Sequence, residues 1–168
     1  MRLFLIVPAL AALLSACATM PPPEPGAMAT LRTAGGMQVG TVTTLARDGG
    51  VHVTLTAKGM PPGVHGVHIH AVGRCDAPDF ASAGGHWNPG GAKHGTMHGA
   101  GHAGDLPNLT VAATGSGRLE AHSPSGTLAD MLDADGAAFV VHAAADDLMT
   151  DPSGNSGARI ACGVFARN

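Results

Sequence analysis

The stretch "GVHGVHIHAVG", residues 63–73, decides the fold. Val67 and Ile69 interleave with His68 and His70, the period of two that a half-buried strand needs. On such a strand His68 and His70 leave by the same face, within reach of one ion. On either side of it, similar runs occur in "AMATLRT" (27–33), "MQVGTVTTLAR" (37–47), "VHVTLTAKG" (51–59), "LTVAATGSGRLEAH" (109–122), "GAAFVVHA" (136–143) and "ARIACGVFA" (158–166). Asp48-Gly49-Gly50 between two of them is a hairpin signal. With 25 glycines and 12 prolines and no convincing helical period, the chain reads as all-β. About eight strands are expected, with long interruptions at 74–107 and 143–157. Loops of that length inside a compact domain are usually functional.

The 168 residues suffice for one domain, and 45% hydrophobic with 12% charged residues suits a folded one. Net charge is −3, and nine lysines and arginines are scattered without a basic run, which argues against nucleic acid. Residues 1–17, "MRLFLIVPALAALLSAC", form an export signal, and the ending Leu14-Ser15-Ala16-Cys17 resembles a bacterial lipobox. That ending predicts an acylated Cys17 in an exported, periplasmic lipoprotein; an ordinary signal cleaved nearby is the alternative. Ala18 leans towards the outer membrane, and no other membrane attachment is expected. Residues 18–29 read as a proline-rich tether and 30–168 as the folded domain. If Cys17 carries lipid, Cys75 and Cys162 remain as one pair. An oxidising compartment would join them, two separate buried thiols being the alternative.

The segment "GGHWNPGGAKHGTMHGAGHAGD" (84–105) holds four of the ten histidines on a scaffold too small to pack itself. His86, His94, His102 and Asp105 would make a closed three-nitrogen, one-oxygen tetrahedron suited to zinc. His68, His70, His86 and His142 would make a four-nitrogen set suited to copper. His98 lies four residues from both His94 and His102, without an assigned role.

"GVHGVHIHAVGRC", "SAGGHWNP", "KHG", "HAGDLPNL", "VVHAAADD" and "GNSGARIACGVF" follow the order and spacing of the Cu/Zn superoxide dismutases. This resemblance covers residues from about 30 to the C-terminus. It implies an eight-stranded antiparallel Greek-key β-barrel or sandwich with two functional loops. It also implies copper on His68, His70, His86 and His142, zinc on His86, His94, His102 and Asp105, and His86 bridging both ions. In the family's reaction, superoxide reduces and then reoxidises copper, giving dioxygen and hydrogen peroxide, with His86 as local proton source. Arg159 resembles the family's anion-docking guanidinium, and Asp146 its carboxylate joining a copper and a zinc histidine, here expected to be His70 and His94. His65 resembles a structural histidine that is not a ligand; His52 and His122 read as surface residues. The 143–159 segment has no lysine and carries Asp146, Asp147 and Asp151, so the family's guidance charges do not transfer. An exported copper or zinc buffer without catalysis is the competing reading, and a homodimer is left open.

Overall fold

A computed structural model describes residues 25–95 and 101–168. The export segment 1–17 with Cys17, the tether up to residue 24, and His98 lie outside the described residues. The strands are β1 (Gly26–Arg32), β2 (Gln38–Arg47), β3 (Gly50–Lys58), β4 (Gly63–His65), β5 (Val67–His70), β6 (Leu109–Val111), β7 (Ser116–Ser123), β8 (Ala138–His142), β9 (Arg159–Val164) and β10 (Ala166–Arg167). Joining β4 to β5 across Gly66 and β9 to β10 across Phe165 leaves, among the described residues, the eight strands expected. Because β1 starts at Gly26, the sheet takes in the last residues of the segment expected to be tether. β1 pairs β2 from Gly26 onward, which brings those residues into the ladder.

The hydrogen-bonded order is β5-β8-β9-β1-β2-β3-β7, and β4 pairs separately with β6. All pairings are antiparallel. The strand from Gly63 to His70 thus belongs to both sheets, and this sharing curls the whole towards a barrel. After β3 the chain crosses to β4 and returns through β6 to β7, which lies beside β3, the Greek-key pattern. The β2–β3 turn is two residues with positive φ at both, Asp48 at 51° and Gly49 at 74°. That geometry matches the right-handed strand twist.

Strand parity places the functional surface. Val67, Ile69, Phe139, Val141 and Ala161 point into the core with Leu31, Val42, Leu55 and Leu109. Burying a side chain such as Phe139 contributes roughly 1.5–3 kcal/mol. The alternate positions point out of the barrel, where Ala138, Val140 and Cys162 meet Phe80 and Ala83 of the long loop. A loop over each outer position explains why "AFVVH" is buried throughout instead of alternating. His68 and His70 stand on this same outer face, opposite Val140 and Ala138. They are therefore buried by loops and not by the core.

Candidate metal centre

Three local devices deliver the imidazoles. First, β5 presents His68 and His70 as neighbours on one face. Second, the β8–β9 register shifts between Val141 and His142, so that His142 stands opposite Arg159. Third, the free edge of β5 is taken by the loop: Trp87 N–H donates to Ile69 O (2.8 Å) and Ile69 N–H to Gly104 O (2.9 Å). This brings His86 opposite His70 and Asp105 opposite His68. Gly104 permits the crossing, since a Cβ there would lie 2.1 Å from the Ile69 carbonyl oxygen.

The first cluster is His68, His70, His86 and His142, all buried, with one ring nitrogen from each within 4.8 Å of the others. His68 Nδ1, His70 Nε2, His86 Nε2 and His142 Nε2 are buried without a hydrogen-bond partner. Four orphaned lone pairs at one point are costly unless a cation accepts them. The opposite nitrogens are held: His70 Nδ1 donates to Gly84 O at 2.9 Å and His142 Nδ1 to Gly157 O at 3.1 Å. Those partners set the tautomers that aim a lone pair inward. Burial pushes the imidazolium forms out, lowering His68 and His142 to about 4 and His70 to about 2. All three are thus neutral ligands near neutral pH.

The second cluster is His86, His94, His102 and Asp105. Asp105 Oδ1 lies 2.8 Å from His86 Nδ1, 3.1 Å from His94 Nδ1 and 3.2 Å from His102 Nδ1. His86 Nδ1 and His102 Nδ1 are 3.4 Å apart. A tetrahedral ion with bonds of about 2.0–2.1 Å has ligand–ligand edges of about 3.3 Å, which these separations match. Asp105 Oδ2 meanwhile accepts from Gly95 N–H (2.8 Å) and His102 N–H (2.9 Å). Burial opposes ionisation of Asp105, but its bonds from His86, Gly95 and His102 prevail and hold it well below the carboxylate range. His86 belongs to both clusters, Nε2 to the first and Nδ1 to the second. Both donor sets fit the two metals in softness and number.

Asp146 joins the clusters, but not through His70. Its Oδ2 accepts from His68 Nε2 at 2.6 Å and its Oδ1 from His94 Nε2 at 3.0 Å. The expectation is corrected because His68 turns Nδ1 inward and leaves Nε2 for Asp146, whereas His70 does the reverse and meets Gly84. Burial resists ionisation of Asp146, yet the bonds from His68, His94 and Leu148 bring it down to about 2.

Arg159 lines a cleft of about 460 Å³ with His70, His86, His102 and His142. Its Nη1 and Nη2 donate to Phe80 O and Gly84 O, each at 2.7 Å. Gly84 O therefore receives both Arg159 and His70. The segment making these carbonyls available is fastened to β9 by the Cys75–Cys162 disulfide, Cα atoms 5.7 Å apart. His65 stays outside both clusters: its Nδ1 lies 2.8 Å from His142 O and its Nε2 2.9 Å from Pro61 O.

Two contributors carry no sequence signal. Asn108 clasps the Asp146 backbone, donating from Nδ2 to Asp146 O (2.9 Å) and accepting Asp146 N–H at Oδ1 (2.8 Å). Asp151 Oδ1 accepts His94 N–H at 2.6 Å. Asp147 accepts from Thr150, Met149 and Asn155, and these bonds lower it to about 2. Asp146 and Asp151 thus tie the second loop to His94 of the first, while Asp147 braces the second loop internally.

The model of the copper/zinc superoxide dismutase family matches residues 38–165. The superoxide dismutase-like protein YojM of Bacillus subtilis is 45% identical over 72% of this chain, which spans 65% of YojM. The Cu-Zn superoxide dismutase of Caulobacter vibrioides is 41% identical, over 83% of this chain and 84% of its own length. The solved structure of the Brucella abortus Cu/Zn superoxide dismutase superposes with a TM-score of 0.70 at 30% identity, covering 84% of this chain and 99% of that one. The family model's match over residues 38–165, on a chain whose curled antiparallel sheet carries two histidine clusters sharing one imidazole, places the chain in the copper/zinc superoxide dismutase family.

Proposed function

We propose that the chain dismutates superoxide: two superoxide ions and two protons give one dioxygen and one hydrogen peroxide. The observation that carries this is the set of four orphaned buried nitrogens adjoining a tetrahedral N₃O set through His86. His68, His70, His86 and His142 would hold copper, and His86, His94, His102 and Asp105 zinc. Copper supplies the one-electron exchange and zinc a fixed second charge. His86 lines the cleft and its Nδ1 is tied to Asp105, so its buried, unpartnered Nε2 would be the atom at which a proton is taken up and passed on. Arg159, pinned at both terminal nitrogens, offers a fixed positive charge in the cleft to a small anion. Burial lowers its pKa, but an arginine so placed remains charged. Asp146 orients a histidine of each set.

The reading extends to location. Cys17 at the end of an apolar export segment supports a lipid-anchored protein held at the outer membrane and facing the periplasm. The disulfide is consistent with an oxidising compartment.

A metal buffer needs neither Arg159 in the cleft nor a ligand set drawn from β5, β8 and a distant loop. The deciding experiment follows superoxide decay with the copper- and zinc-loaded protein and its His142→Ala variant. Many superoxide ions consumed per copper, with the variant far slower, is the expected result. Consumption that stops after one equivalent, or equal rates, would leave only the buffer.

A further inference from the structure

We propose that the outer face of the β2–β3–β7 sheet carries a third metal site, for a late first-row divalent ion, built on His52 and His122. These residues are direct partners across the β3–β7 ladder. Opposed side chains on one face of an antiparallel pair have Cβ atoms about 4.5–5.5 Å apart, the spacing at which two imidazoles can reach one ion. Their ring centroids are 4.3 Å apart and the planes 28° from parallel, much the relation of His68 and His86 in the first cluster, 3.9 Å and 30°.

A third residue fixes the tautomer. The β2–β3 turn holds Asp48 with Oδ2 3.2 Å from His52 Nε2. Donation of the Nε2 proton to that carboxylate leaves Nδ1 with the free lone pair. This is the carboxylate–imidazole arrangement that orients metal ligands, and Asp146 makes it to His68 in the interior. Gly50 contributes by lacking a side chain: a Cβ there would stand 2.7 Å from His122 Nε2.

The pair is accessible, unlike the interior clusters. His122 is exposed and the His52 side chain 36% exposed, so water can fill the remaining coordination positions. Arg47, the nearby cation, approaches Asp48 at 3.9 Å, on the carboxylate side of the triad. Imidazole donors with a carboxylate behind them suit copper, nickel or zinc rather than magnesium or calcium.

The test uses the full protein with copper and zinc already loaded, titrated with Ni²⁺. One further equivalent should bind, with the His52 and His122 imidazole signals selectively broadened in NMR spectra. His122→Asn and His52→Asn should each weaken that equivalent at least tenfold, and Asp48→Asn by about 10-fold. Superoxide decay by His122→Asn should match the unsubstituted protein, showing that the interior sites are intact. Absence of a further equivalent at millimolar Ni²⁺ would overturn the proposal. So would an equivalent that His122→Asn leaves unchanged.

Discussion

Replacing Asp146 with alanine should uncouple the two metals in their affinities. The carboxylate accepts three donors from the ligand region, His68 Nε2 at 2.6 Å, His94 Nε2 at 3.0 Å and Leu148 N–H at 2.6 Å. Removing such an acceptor typically costs 10–100-fold in metal affinity, about 1.4–2.7 kcal/mol. The loss should not fall equally. His68 stays on β5, paired to β8 on one side and to the loop on the other. His94 sits in a loop without ladder bonds, held by Asp146 and by Asp151 on its backbone N–H. Zinc affinity should therefore fall by the full 10–100-fold and copper affinity by less. Competition against a chromophoric chelator measures zinc, and the copper absorption band measures copper. Zinc binding unchanged within threefold, or a copper loss larger than the zinc loss, would refute this account of Asp146.

Gly154→Ala should reproduce the zinc defect, because its Cβ would fall 1.7 Å from Asp146 Oδ1 at a φ of +63°; the same chelator competition checks it. Removing the disulfide with a Cys75→Ser, Cys162→Ser pair opens a loop of 87 residues, up to about 4.5 kcal/mol in the chain-entropy model. Calorimetry of the metal-free protein should show the melting point lowered by about 10–15 °C. The metal-free protein should also lose stability as pH falls from 6.5 to about 4. His68 and His142 have folded pKa values lowered to about 4, so in that window the unfolded chain binds more protons and gains; urea melts at several pH values measure it, and stability flat across the window would contradict the buried neutral imidazoles. Arg159→Ala should slow superoxide consumption on the order of tenfold and flatten its dependence on salt, read by stopped-flow.

Strands were legible because apolar residues at alternate positions have few other uses, and the Asp48-Gly49 turn because aspartate and glycine settle at positive φ more readily than other residues. The metal clusters were legible because histidine and aspartate are scarce enough for their positions to carry information. The partner of Asp146 was not, since nothing in "VHIH" says which ring turns its Nδ1 inward; Gly84 O and Asp146 decide that across 14 and 78 residues. Asn108 and Asp151 were invisible for a related reason. Each pins a loop to another loop, and such contacts leave no periodic trace.

One imidazole, His86, belongs to both donor sets and is expected to serve two different metals. Anomalous diffraction from crystals of the loaded protein, collected at the copper and zinc absorption edges, tests this most directly. Copper should lie among His68 Nδ1, His70 Nε2, His86 Nε2 and His142 Nε2, with zinc on the Nδ1 side of His86 beside Asp105. A copper peak away from His86, or a zinc peak away from Asp105, would contradict it.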